Sequence, residues 1–377
     1  MDIRDKINAF WPDWELETEL GRGSFGVVYR AVRRGMRETY PAAIKILSIP
    51  ADSGELTHLK AVGLNNRDLT TYYEEVVSDC VNEIAILEKL KGHSHIVSIE
   101  DFKVIKRTEG FGWDVLIRME CLTSLPEYMT GGHNELPQEE VIRLGEDLSE
   151  ALSFCEKENV IHRDIKPANI FVASHGRFKL GDFGISRTLE RTELSRSRKG
   201  TLNYMAPEVY WGDPYRTNVD VYSLGIVLYQ LANHNLFPFI ESKEAMLSRT
   251  AVEAAFDRRM RSEPLPPPSA ADPKLAEVIL KACEYDIWKR YQNADELLEA
   301  LRAVRKAPPV SLFFGGKRDG EAADVTVRIV PDPKIEKTGV HDLKKGNLVF
   351  GPRTAPSDQK EKKPAERKNL IFGPKEL

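Results

Sequence analysis

From Trp14 to Leu47 the chain reads as strands: WELETELGRGSFGVVYRAV, a polar turn region, then YPAAIKIL. Residues 48–75 are polar and irregular and lead into SDCVNEIAILEKLKG (78–92). There Val81, Ile84, Ile86, Leu87 and Leu90 predict an amphipathic helix. Further strands are expected around 96–105 and 113–119. After Leu122 the texture becomes helical, and QEEVIRLGEDLSEALSFCEKE (138–158) sets Val141, Leu144, Leu148, Leu152 and Cys155 on one face. NIFV and RFKL read as two short strands joined by the turn residues Ser174, His175 and Gly176. From 218 to 305 the pattern is helical, broken by PLPPP at 264–268. A β-rich first part and a helical second part predict an α+β architecture of two lobes meeting near residue 120.

The end of the chain differs. Residues 304–377 lack helical periodicity, are rich in Lys, Glu, Pro and Gly, and read as a mostly disordered tail. From 306 to 377 there are 15 Lys and Arg against 10 Asp and Glu, so the tail is mildly basic. It repeats an apolar motif in SLFFGGKR (311–318), NLVFGPR (347–353) and NLIFGPK (369–375). One reading is low-complexity sequence; the other is a set of docking peptides whose multivalency raises avidity for a partner.

Composition narrows the class. The 377 residues are 41% hydrophobic and 30% charged, with a formal net charge of -4. That balance argues against a nucleic-acid partner, which usually demands a basic field. Cys80, Cys121, Cys155 and Cys283 are far apart and form no C-x-x-C pair, so they read as reduced thiols of a cytoplasmic protein. The opening MDIRDKINAF lacks the apolar core of a signal peptide, and no apolar run is long enough for a membrane span.

Four stretches carry candidate chemistry. In LGRGSFGVV (20–28), Gly21, Gly23 and Gly26 would let backbone amides approach phosphate oxygens, but a hairpin with three glycines also satisfies the pattern. In AAIK (42–45), Lys45 lies in an apolar strand where an unpaired charge is costly, so it needs an anion; Glu83 is its natural partner. The alternative is a lysine that snorkels from a strand end. In LGDFGIS (180–186), Asp182 sits between Gly181 and Gly184, which suits Mg²⁺ or an ordinary tight turn. A fourth stretch, IHRDIKPANIFV (161–172), crowds His162, Arg163, Asp164, Lys166 and Asn169 into a loop held by apolar residues at both ends.

Glycine loop, strand lysine, helix glutamate, HRDIKPAN, DFG and MAPE (205–208) occur in that order. Across residues 14–303 the sequence resembles the eukaryotic-type (Hanks-type) Ser/Thr protein kinases. The resemblance implies a two-lobed kinase fold, with an N-lobe of 14–119 and a C-lobe of 123–303. It implies ATP and Mg²⁺ as cofactors, protein Ser and Thr hydroxyls as acceptors, and a kinase as the enzyme class. In such kinases the loop residues Leu20, Gly21, Gly23, Ser24, Phe25 and Gly26 cover the phosphates. Val28, Ala43 and Phe171 would sandwich adenine. Met119 would be the gatekeeper, with Glu120 and Leu122 offering hinge backbone groups.

By the same resemblance, Lys45 holds phosphates and pairs with Glu83, Asp164 receives or orients the hydroxyl proton, and Lys166 lies near the γ-phosphate. Asn169 and Asp182 would hold the metal, and Thr201 would contact the substrate. Asp220 would anchor the catalytic loop, Glu208 would pair with Arg290, and Arg163 would receive a phosphate from the activation segment. Thr192, Ser195 and Ser197 are the autophosphorylation candidates. Two features depart from the pattern: A-A-I-K replaces V-A-I-K, and 48–75 reads as an insertion between Lys45 and Glu83. A pseudokinase or scaffold acting through the tail repeats is the rival reading. A small-molecule kinase is a second, disfavoured by the activation segment and the APE motif.

Overall fold

The computed structural model describes residues 3–23, 26–51, 53–108, 111–173, 176–183 and 202–306. The chain divides into two units, Met1–Val310 and Ser311–Leu377, and every described residue belongs to the first. The tail repeats lie outside the described residues.

The first lobe is a five-stranded antiparallel sheet in the order β1-β2-β3-β5-β4. Its strands are β1 (Glu15–Gly23), β2 (Gly26–Arg34), β3 (Thr39–Ile49), β4 (Ile99–Lys106) and β5 (Trp113–Glu120). Side chains alternate across a strand, and both faces of β3 are buried. Leu47 and Ile49 pack with Val115 and Ile117 toward the main core, whereas Ala42, Ile44 and Ile46 pack with Leu116 on the other face. That outer face is covered by helix α1 (Ile3–Phe10) through Ile7, together with Trp11 and Trp14. Nothing in the strand pattern announced this cover. The helix is short and mostly polar, and it is held by the buried Ile7, by Ile3 packed beside it, and by Lys6, whose Nζ lies 2.6 Å from Asp114 Oδ2.

The stretch 48–75, expected to be irregular, is largely helical. It contains α2 (Ser53–Ala61) and the first part of α3 (Asn66–Lys89). The helix expected to begin at 78 therefore begins twelve residues earlier. Asn65 caps it, its side-chain oxygen accepting from the amides of Arg67 and Asp68 at 2.8 and 3.0 Å. Leu69, Tyr73, Val76, Val77 and Cys80 continue the apolar stripe upstream of Ile84 and Leu87. The Tyr73 ring meets Phe111 edge-on at 5.6 Å, and Phe111 meets Trp113 at 5.6 Å, tying the added turns to β5.

The second lobe opens with β6 (Thr123–Ser124), α4 (Leu125–Thr130) and α5 (Gln138–Lys157). The strands β7 (Ile170–Ala173) and β8 (Arg177–Leu180) complete a small sheet ordered β6-β7-β8. Beyond residue 201 come α6 (Pro207–Trp211), α7 (Asn218–Leu231), α8 (Lys243–Leu247), α9 (Arg249–Met260), α10 (Pro273–Ala282) and α11 (Ala294–Lys306). Helix α7 is buried around nearly its whole circumference, as a central post should be. One hydrophobic core runs from α3 and the sheet through α5 and α7 to α11. All four cysteines are free thiols. Among the described residues no helix is long and apolar enough to cross a membrane.

Candidate active site

The cleft between the lobes collects the predicted residues from both. On β3, Ala43 lies opposite Met119 of β5, and Lys45 lies opposite Val28 of β2 and Ile117 of β5. The glycine-rich hairpin closes with Gly23 opposite Gly26; its tip residues Ser24 and Phe25 lie outside the described residues. A side chain at Gly26 would place its Cβ 2.2 Å from the Ile46 carbonyl oxygen, so only glycine lets β2 approach β3 this closely. Below, Phe171 on β7 pairs with Lys179 and with Ser124. A Cβ on Gly181 would meet the Phe171 ring at 2.8 Å, so this glycine keeps the cleft floor in place.

Lys45 is almost fully buried, and its Nζ lies 2.6 Å from Asp182 Oδ1. The ammonium group holds the Asp182 carboxyl below its ordinary value of 3.8, so the aspartate is ionised at neutral pH. The expected Lys45–Glu83 ion pair is not formed in this structure. Glu83 is half-buried on α3, and its Oε2 is covered. The lysine's anion comes from the segment after β8 and not from the helix.

The loop between α5 and β7 is fixed by a residue of α7. Asp220 accepts hydrogen bonds from the backbone amides of His162 at 2.7 Å and Arg163 at 2.8 Å. Both bonds are charge-assisted and largely buried, which makes them strong. They hold Arg163 at φ 65°, and Asp182 sits at φ 55°; such left-handed conformations cost a non-glycine residue about 1–3 kcal/mol. The His162 ring links the two strained points, with Nε2 at 3.0 Å from the Gly181 carbonyl oxygen and the ring 4.5 Å from Phe183. Burial lowers the His162 pKa from 6.5, so the ring is neutral at physiological pH.

Around Asp164 the charges converge. Lys166 Nζ lies 2.8 Å from Asp164 Oδ2, and Asn169 Nδ2 donates to Asp164 Oδ2 at 2.9 Å and to its backbone carbonyl oxygen at 2.8 Å. Asp164 Oδ1 is buried and, among the described residues, accepts no hydrogen bond. One carboxylate oxygen is thus saturated and the other is left with its lone pairs. Thr201 and the activation-segment hydroxyls lie outside the described residues.

Asn169 and Asp182 were the expected metal ligands. Mg²⁺ takes oxygen donors and commonly only one or two from protein, with phosphates and water supplying the rest. Asn169 turns its amide nitrogen toward Asp164, which leaves the amide oxygen facing elsewhere, and the Asp182 side chain is 40% exposed and ionised. These donors fit such an ion. Among the described residues no group of three or more His, Cys, Asp or Glu forms a metal cage.

Where β5 leads out of the first lobe, Met119 lies opposite Ala43, and both Met119 and Leu122 are half-buried. The Glu120 carboxylate accepts from Lys179 Nζ at 2.7 and 2.9 Å and from the Ser98 amide at 2.7 Å. This tie between β5 and β8 was not anticipated, because its partners are 59 residues apart and match no motif. Deeper in the second lobe, the expected Glu208–Arg290 pair is present: Nη1 lies 2.7 Å from Oε1 and Nη2 lies 3.2 Å from Oε2, with both side chains buried.

A twisted antiparallel sheet over a helical lobe, with a buried lysine, an anchored His-Arg-Asp loop and an ionised aspartate meeting between them, defines the protein kinase class. The protein kinase domain family matches residues 14–301, and the chain belongs to that family. Its relatives include the Ser/Thr protein kinase KIC1 of Saccharomyces cerevisiae, 31% identical over 305 residues, 78% of this chain and 24% of the yeast protein. A probable Ser/Thr protein kinase of Clostridium perfringens is 30% identical over 206 residues, 54% of this chain and 29% of that protein. A probable cell division protein kinase of Encephalitozoon cuniculi is 31% identical over 288 residues, 75% of this chain and 94% of that protein. The chain thus spans well under half the length of the yeast and clostridial relatives and nearly all of the microsporidian one. The domain is a protein-serine/threonine kinase domain.

Proposed function

We propose that this chain is an ATP- and Mg²⁺-dependent kinase that transfers the γ-phosphoryl group to Ser or Thr hydroxyls of proteins. The observation that carries this reading is Asp164: one oxygen held by Lys166 and Asn169, the other buried and unoccupied as an acceptor. Asp164 Oδ1 takes the proton of the attacking hydroxyl as its oxygen bonds to the γ-phosphorus and the bond to the ADP oxygen breaks. Lys166 balances charge on the transferring group, and Lys45 holds the α- and β-phosphates. Asn169 and Asp182 would hold Mg²⁺, which neutralises phosphate charge when bound. Glycine-loop amides from Gly21, Gly23 and Gly26 cover the phosphates, and Val28, Ala43 and Phe171 enclose the adenine. Asp220 and His162 orient the loop, so the charges are positioned before the substrate arrives.

Glu83 joins this set by displacing Asp182 from Lys45, which frees the aspartate for the metal. Thr201 is assigned to substrate contact by family resemblance alone. Autophosphorylation on Thr192, Ser195 or Ser197 fits the presence of Arg163 beside the catalytic loop. The three tail repeats are proposed docking peptides for a separate protein, on the strength of apolar anchors recurring in a polar tail, and the protein is proposed to be cytoplasmic. With Lys45, Asp164, Asn169 and Asp182 all in place, a catalytically silent scaffold is not favoured.

The test is phosphotransfer from ATP and Mg²⁺ by the full chain and by Asp164→Asn, with modified residues mapped by mass spectrometry. Phosphate on Ser or Thr from the wild type alone supports the proposal. Nucleotide binding without any transfer would return the scaffold reading to the front.

A further inference from the structure

The chain leaves β5 at Glu120 and enters the small sheet at β6, where Thr123 and Ser124 pair with Val172 and Phe171 of β7. The far end of this connection is therefore fixed by backbone pairing to the strand that carries Phe171. Its near end is fixed by a side chain. Both oxygens of the Glu120 carboxylate accept from Lys179 Nζ, at 2.7 and 2.9 Å, and Oε1 also accepts from the Ser98 amide at 2.7 Å. The Glu120 amide in turn donates to the Ser98 carbonyl oxygen at 3.2 Å. Exposed ion pairs contribute little, but the Lys179 and Glu120 side chains are only 16% and 25% exposed, and their bonds are charge-assisted.

Both partners of Glu120 belong to the layer that carries Phe171. Lys179 lies opposite Phe171 in the β7–β8 pair, so the two side chains share one face of that sheet. Ser98 follows a segment docked on β8: the Val97 amide donates to the Leu180 carbonyl oxygen, and the Leu180 amide donates to the His95 carbonyl oxygen, each at 2.9 Å. A Cβ on Gly181 would meet Val97 as closely as it meets the Phe171 ring, at 2.8 Å, so this layer has no slack. The Glu120–Lys179 pair thus sets the spacing between the Phe171 layer and the backbone of 120–122.

A planar base needs both parts at once, a face to lie on and backbone groups at its edge. Adenine carries an amino donor where guanine carries a carbonyl acceptor. A backbone carbonyl oxygen held at that edge therefore attracts one base and repels the other, provided that it cannot shift. We propose that Glu120 and Lys179 are positioning residues that set the base preference of the nucleotide site, holding the 120–122 backbone against the Phe171 layer so that it accepts adenine and refuses guanine. Neither side chain needs to touch the nucleotide. The inference rests on the nucleotide reading of the cleft given above.

The experiment is titration of the full chain with Mg²⁺ present, using ADP by calorimetry and GDP by its displacement of ADP. The wild type should bind ADP at least about tenfold more tightly than GDP. Lys179→Met removes the cation and keeps the stem; it should weaken ADP about tenfold and GDP less than about twofold, so the preference collapses. Glu120→Gln keeps an acceptor for the Ser98 amide and should lose part of the preference. Lys179→Arg, whose guanidinium can fork onto the same carboxylate, should retain it. A preference that survives unchanged in Lys179→Met would overturn the inference and leave the nucleotide reading intact. Equal weakening of ADP and GDP would do the same, because it marks a general loosening of the fold. Failure of the wild type to bind ADP would overturn both.

Discussion

Lys45 on β3 reaches across the cleft to Asp182, with 2.6 Å between Nζ and Oδ1, and so forms one of the ion pairs that join the two lobes. The same pair sets the charge of the aspartate proposed to meet the metal. Because the folded pKa of Asp182 lies below 3.8, the pair's contribution is complete above that value and is lost as pH falls through the folded pKa. In Lys45→Met the carboxyl should titrate at a higher pH than in the wild type. A carbon-detected NMR titration of Asp182 in both proteins measures this; an unchanged titration would show that the lysine does not control it.

Asp164→Asn should lower kcat by about 10²–10⁴-fold, the usual range for removing a positioned acid–base group. The bond from Asn169 to the backbone carbonyl at 164 survives this change, so the fold and the KM for ATP should alter little. Steady-state kinetics with a protein acceptor separates the two parameters. A kcat within a few-fold of wild type would remove Asp164 from the proton's path.

His162 predicts a pH dependence on the acid side of neutrality. Burial lowers its folded pKa from 6.5, so the unfolded chain takes up a proton first as pH falls. The neutral ring's stabilisation is therefore full above about 6.5 and declines below it, down to the folded pKa. Urea unfolding of the wild type at pH 7.5 and 5.5 should show a larger loss than the same comparison in His162→Phe. Equal losses would mean that the ring does not carry the effect.

The Glu208–Arg290 pair is buried on both sides, so removing one member strands the other's charge. Glu208→Ala should destabilise the domain by about 3–5 kcal/mol. Replacing both by leucine and methionine should cost less than Glu208→Ala alone. Chemical denaturation of the three proteins gives the comparison, and additive losses would contradict a stranded charge.

Much of the site was legible because its chemistry is written in short runs. IHRDIKPAN keeps His162, Asp164, Lys166 and Asn169 within one loop, and the anchoring Asp220 stands in its own motif, DVYSLG. The state of Lys45 was not legible: Glu83 and Asp182 are both plausible anions, and only packing decides which one is adjacent. The beginning of α3 was missed because Thr70, Thr71, Glu74 and Glu75 make its exposed face so polar that Leu69, Tyr73 and Val76 were not read as one stripe. The Glu120–Lys179 tie depends on residues brought together from distant elements, which no local pattern records.

Helix α3 spans 24 residues, about 36 Å at 1.5 Å per residue, and Glu83 rides near its far end. Tyr73, wedged through Phe111 against Trp113, is a fulcrum ten residues before the glutamate, or about 15 Å along the axis. A tilt of about ten degrees about that point carries Glu83 some 2–3 Å, roughly the reach of a hydrogen bond. The residues inserted before the helix thus extend it as a second arm, Asn66 to Tyr72, on the opposite side of that contact from Glu83.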